Sequence, residues 1–206
     1  MTKKTGQRHR GLTLIEVLVA AALSGILLTL LVQILVPGLQ IWRQTQAVSE
    51  LEQNAMIARA KISDSLLNTT AESITVIDRA DRQAISCLNN EGTENQPGYD
   101  GNTGDIFWRS MTMYSLTPSE GVLRQYRREL PAIVTEPFAY SVSQLDAAIN
   151  SQEGRLVASK VTSLRLLPPP VDQQIWQLQM TLEGNGPRGP IILEREVNVV
   201  PRIQTL

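Results

Sequence analysis

The chain has one cysteine and one histidine in 206 residues, only 4% aromatic residues, and a net charge of −1. A lone Cys87 can neither close an intramolecular disulfide nor supply a multi-cysteine zinc site. The histidine, His9, lies in a basic N-terminal tract that is expected to be removed, so the mature chain would contain no imidazole. That absence excludes Ser-His-Asp and Cys-His hydrolysis, HExxH metalloprotease chemistry and most catalytic zinc sites. Without a candidate nucleophile–base pair, the chain reads as a non-enzymatic protein with no cofactor. The near-neutral balance gives no general attraction for nucleic acid, and no nucleic-acid partner is expected. The 42% hydrophobic share excludes a wholly disordered chain. The length suits one domain with an appendage.

What is present is a sharp segregation of charge from hydrophobicity. Residues 1–11 carry Lys3, Lys4, Arg8 and Arg10 and no acid. An apolar run then fills residues 12–36, interrupted by Thr13, Glu16, Ser24, Gly25, Thr29 and Gln33. As a helix this run is ~37 Å long, enough for a ~30 Å hydrocarbon layer. The basic flank predicts a cytoplasmic N-terminus and an exported remainder. A secretory signal peptide has a shorter apolar core of ~7–15 residues. Here the apolar run continues well past the small residues Ala20, Ala21 and Ala22, and no cysteine stands where a lipobox needs one. Glu16 is the anomaly. A carboxylate inside a membrane helix costs ~2.5–3.5 kcal/mol and marks a functional position.

Residues 10–20, running from Arg10 and Gly11 through Leu12, Thr13, Leu14, Ile15 and Glu16 to Ala20, resemble the class III signal of type IV pilins and type II secretion pseudopilins. The resemblance implies cleavage by a prepilin peptidase between Gly11 and Leu12, N-methylation of Leu12, and a role for Glu16, the fifth residue after the cut, in subunit assembly. The family usually places Phe where this chain has Leu12. It further implies other pilins or pseudopilins, membrane lipid, and an inner-membrane assembly platform with its ATPase as partners. The chain would be a single-pass inner-membrane protein with an exported head, later drawn into a pilus or pseudopilus. The order of elements behind the signal looks like minor subunits of the J-type pseudopilin or W-type pilin sort. The alternative is a membrane-anchored exported binding protein with no filament role.

Beyond the run, Pro37 and Gly38 are positioned to bend or end the helix. Helical periodicity nevertheless resumes with Val48, Leu51, Ala55, Ala58, Ile62 and Leu66 on one stripe. Strands are expected at 73–77, 84–88, 106–116, 122–128, 159–167, 175–182 and 191–200. A turn over 184–190 makes a hairpin of the last two. A short helix is expected at 144–150, and Pro168, Pro169 and Pro170 break strand pairing. The expected fold is α+β: a long N-terminal helix, membrane half plus amphipathic half, packed on an antiparallel β-sheet head. The divisions are a leader at 1–11, a transmembrane or filament-core helix at 12–36, an amphipathic half at 37–68, and a β-rich head at 69–206.

Other candidate sites are weaker. Asp100, Asn102 and Asp105, with Glu91 and Glu94 nearby, place oxygen donors in a loop but do not match the EF-hand spacing. They read as a solvated loop tip with calcium as the lesser alternative, and no metal site is assigned. Arg124, Tyr126 and Arg128 share a strand face with Arg127 turned away, a solvated face rather than a nucleic-acid patch. Trp42, Trp108 and Trp176 read as core or interface anchors. Cys87 reads as a buried small hydrophobe.

Overall fold

The computed structural model describes residues 13–90, 98–99, 106–170 and 175–201. Helix α1 spans Leu14–Leu67. It is followed by strands β1 (Thr75–Asp78), β2 (Gln83–Asn89), β3 (Trp108–Thr117) and β4 (Val122–Val134). Helix α2 (Val142–Asn150) precedes β5 (Arg155–Ser159), β6 (Val161–Leu167), β7 (Trp176–Gly186) and β8 (Gly189–Val199). The chain divides into two units, 1–45 and 46–206. The α+β class, with a long N-terminal helix and antiparallel sheets, is as the sequence implies.

In the first unit, α1 runs through Pro37 without a break. Pro37 therefore does not end the helix. The large apolar residues from Leu14 to Trp42 are all exposed, including Leu14, Ile15 and Ile34. A helix that is apolar all round and exposed over this stretch has the length and composition to cross a membrane.

In the second unit, α1 becomes amphipathic. Its buried residues are Leu51, Ala55, Ala58, Ile62, Ser65 and Leu66, the expected stripe with Ser65 added and Val48 only half-buried. Where one antiparallel sheet was expected, there are two: five strands in the order β1-β2-β3-β4-β5 and three in the order β6-β7-β8. The α1 stripe meets Ile85, Cys87, Tyr114 and Leu116 of the larger sheet and Leu164, Leu178, Met180 and Leu182 of the smaller one in a single core. Each fully buried Leu or Ile there contributes about 1.5–3 kcal/mol. Within it Ser65 Oγ lies 2.9 Å from the Tyr114 hydroxyl, which donates to the Lys61 carbonyl at 2.9 Å. The backbone N–H of Leu164 donates to Gln83 Oε1 at 2.7 Å and ties the two sheets together.

The other face of the larger sheet carries a second core of Ile77, Leu88, Trp108, Met111 and Met113 under α2, which contributes Leu145, Ala148 and Ile149. Burial on both faces explains why β2 is buried throughout and why its sequence does not alternate. Helix α2 opens on a capping box: Ser141 Oγ accepts from the Gln144 N–H, and the Ser141 N–H donates to Gln144 Oε1. Arg79 and Arg82, at the β1–β2 turn, reach Asp146 of α2 at 3.0 and 3.2 Å.

Three expected boundaries need correction. The segment expected as one strand over 159–167 is two, β5 and β6, one in each sheet, with Lys160 at the corner in a left-handed conformation (φ 63°). Strand β4 runs on to Val134. Its pairing with β3 passes from Ser110–Glu129 directly to Trp108–Val134, and the extra residues of this bulge include Pro131, which lacks an N–H to give to a ladder. The β7–β8 turn is shorter than expected, because pairing continues to Gly186 and Gly189.

Candidate functional site

The site rests on the first turn of α1. Thr13 precedes the helix and Glu16 stands three residues on. Both the Thr13 N–H and the Thr13 hydroxyl donate to Glu16 Oε2 at 2.9 Å. The Glu16 N–H reaches back to Thr13 Oγ1 at 3.4 Å. This is a capping box, which satisfies backbone donors that no helical carbonyl can reach. The N-terminal end of the helix macrodipole also favours a negative charge at this position. The same carboxylate that is costly within an apolar run is therefore hydrogen-bonded and electrostatically favoured at its first turn. Among the described residues, its hydrogen bonds are to Thr13 alone.

Chemically, the arrangement offers one oriented acid at the head of a membrane-compatible helix. Sequence reasoning singled out Glu16 but passed over Thr13. The signal was present, since Thr-x-x-Glu ahead of an apolar run is the capping-box pattern.

Gly11 and Leu12 lie outside the described residues, as do Glu91, Glu94, Asp100, Asn102 and Asp105. Among the described residues no group of three or more His, Cys, Asp or Glu side chains is placed to hold a metal ion. The basic strand face has the expected register: Arg124, Tyr126 and Arg128 pair with Ser115, Met113 and Met111, while Arg127 pairs with Thr112 on the opposite face. Arg124 meets the Gly154 carbonyl at 3.3 Å, and Arg127, on the opposite face, meets Glu129 at 3.4 Å. Tyr126 packs against the second core. Trp108 is a core residue and Trp176 is half-buried against the first core, whereas Trp42 is 61% exposed on the apolar part of α1. Cys87 is fully buried.

Residues 6–32 match the family model of the prokaryotic N-terminal methylation motif. No curated protein and no solved structure matches the chain. The match covers the second half of the basic tract, the junction after Gly11, Glu16 and most of the apolar run, so the N-terminal segment is a prepilin-type signal of the kind carried by type IV pilins and pseudopilins.

Proposed function

We propose that the chain is a minor pilin or pseudopilin, of the J-type or W-type sort, that serves as a structural subunit of a type IV pilus or type II secretion-type pseudopilus. The methylation motif at 6–32 carries this reading. In it, prepilin peptidase cuts between Gly11 and Leu12 and methylates the new amine of Leu12. The subunit waits in the inner membrane with its head exported, and an assembly platform and its ATPase extract it into the filament. Glu16 then pairs with the Leu12 amine of a neighbouring subunit. Low dielectric strengthens that attraction, and burying either charge alone is unfavourable. A subunit at the very tip has no earlier neighbour to pair with, so the presence of Glu16 argues against the outermost position.

The decisive measurement is the mass of the chain recovered from membranes. Loss of residues 1–11 with one added methyl on Leu12 is expected, and Gly11→Leu should abolish the loss while leaving insertion intact. An intact N-terminus on the wild-type chain would favour a membrane-anchored binding protein instead.

Two substitutions at Glu16 separate capping from pairing. Glu16→Val should insert and be cleaved but lose crosslinking to partner pilins. Glu16→Gln keeps an acceptor for the capping box but removes the charge, and should lose crosslinking equally. Wild-type crosslinking by the Gln variant would reduce Glu16 to a helix cap.

A further inference from the structure

Strand β8 closes one side of the three-stranded sheet. Strand β7 pairs with it over its full length, from Trp176 with Val199 to Gly186 with Gly189, and no described strand lies on its other side. An open edge presents a row of backbone N–H and C=O groups, and edges that are not used are blunted by proline, bulges or inward charge. The other long edge of this head is blunted in that way: beyond Gln125, where β5 stops pairing, β4 carries a bulge and Pro131. Strand β8 has no register shift, and Pro190 sits beside its hairpin turn. Its inward charge, Arg195, is already neutralised by Glu52 of α1 at 2.7 Å.

The space beside this edge is a groove. Ala55, Met56 and Ala60 of α1 and Val197 and Val199 of β8, with the charged Glu52, Arg59 and Arg195, line a volume of about 420 Å³. Met56 is 71% exposed there. Ile191, Leu193 and Val197, on the face of β8 toward the helix, are only half-buried. A strand added to β8 would direct every second side chain into this groove.

The opposite face of β8 sets the partner's charge. Glu194 and Glu196 are exposed, beside Thr181 and Gln179 of β7, with Gln177 donating to Glu196. A second copy of this chain fits poorly. Antiparallel pairing of two β8 edges about a two-fold axis normal to the sheet sets outward residues opposite outward residues. Registers centred on residues 194 to 196 then oppose glutamate to glutamate, which destabilises the pair.

We propose that β8 is a strand-addition site for an extended segment of a partner protein in which apolar and basic residues alternate. Apolar side chains enter the groove at Met56, Ala60 and Val197, Lys or Arg side chains lie over Glu194 and Glu196, and main-chain hydrogen bonds supply the rest. The proposal depends on the head and not on processing of the leader, so it stands or falls separately from the filament role.

The test uses the full chain in detergent micelles, titrated with a dye-labelled peptide of alternating Val and Lys and with its Val and Glu counterpart. The Lys peptide should bind about tenfold tighter than the Glu peptide and slow hydrogen exchange at the amides of β8. The double variant Glu194→Lys, Glu196→Lys should reverse the preference. Met56→Arg, at an exposed helix position, should weaken the Lys peptide by about tenfold with an unchanged circular dichroism spectrum. Equal binding of the two peptides or unchanged exchange in β8 would overturn the proposal. So would β8 protection that rises with concentration of the chain alone.

Discussion

At the scale of single residues, the thiol of Cys87 shows how burial rewrites ordinary chemistry. It is fully enclosed, with the Thr112 carbonyl 3.8 Å from its sulfur, and burial pushes its pKa up to about 12. The thiolate is the reactive form. The folded chain should therefore resist alkylation by iodoacetamide at pH 8 and react once urea unfolds it; rapid labelling of the native chain would show that the core is open. The folded value lies above the ~8.5 of an unperturbed thiol. The associated stability is thus complete below that pH and lost as pH rises through the folded value near 12. Gly154 shows the opposite kind of constraint, on space. A Cβ there would come within 2.5 Å of the Tyr126 ring, so the short connection between α2 and β5 can pass over that ring because the residue has no side chain.

At the scale of elements, the second half of α1 is held by its stripe more than by helix propensity, because short helices in water are marginal without tertiary packing. Leu51 is the clearest case. It is fully buried, and its side chain lies 3.1 Å from the point where Gly184 would carry a Cβ, so helix and smaller sheet meet at that pair. Leu51→Ala should cost about 2–5 kcal/mol, read as a lower urea midpoint with an unchanged slope. A loss below 1 kcal/mol would mean that the contact closes up at little expense. The second helix is docked differently, by its apolar face together with the pairing of Asp146 to Arg79 and Arg82. These partners are partly solvated, so that pairing orients α2 more than it stabilises it.

At the scale of the whole molecule, the two units differ in what they bury. Every buried apolar residue among those described lies at or beyond Leu51, while the helix before residue 46 is apolar and exposed. A fragment starting at Gln46 keeps both cores and loses the apolar run. It should be soluble, show mixed helix and strand by circular dichroism, and melt cooperatively. An aggregated or unstructured product would mean that the head needs the preceding helix to fold.

Much of this was legible in the residues. The basic tract, the offset from Gly11 to Glu16 and the 25-residue helix-length run at 12–36 are local features, and local features are what a sequence states directly. The α1 stripe and the last hairpin follow from periodicity and turn chemistry, which act over a few residues. What only the tertiary structure decided is where the chain turns without a turn residue. At Lys160 no glycine or proline marks the corner between sheets. Its left-handed backbone is held by distant partners: its carbonyl accepts from the Glu183 N–H at 2.8 Å, the next N–H donates to the Gly121 carbonyl at 3.0 Å, and its ammonium meets Glu50 at 2.7 Å. Pro131 likewise sits within β4 because a bulge releases it from the ladder. The split into two sheets, the second core beneath α2 and the open edge of β8 beside the helix are consequences of such long-range contacts, and no pattern in neighbouring residues encodes which strand will find itself at an edge.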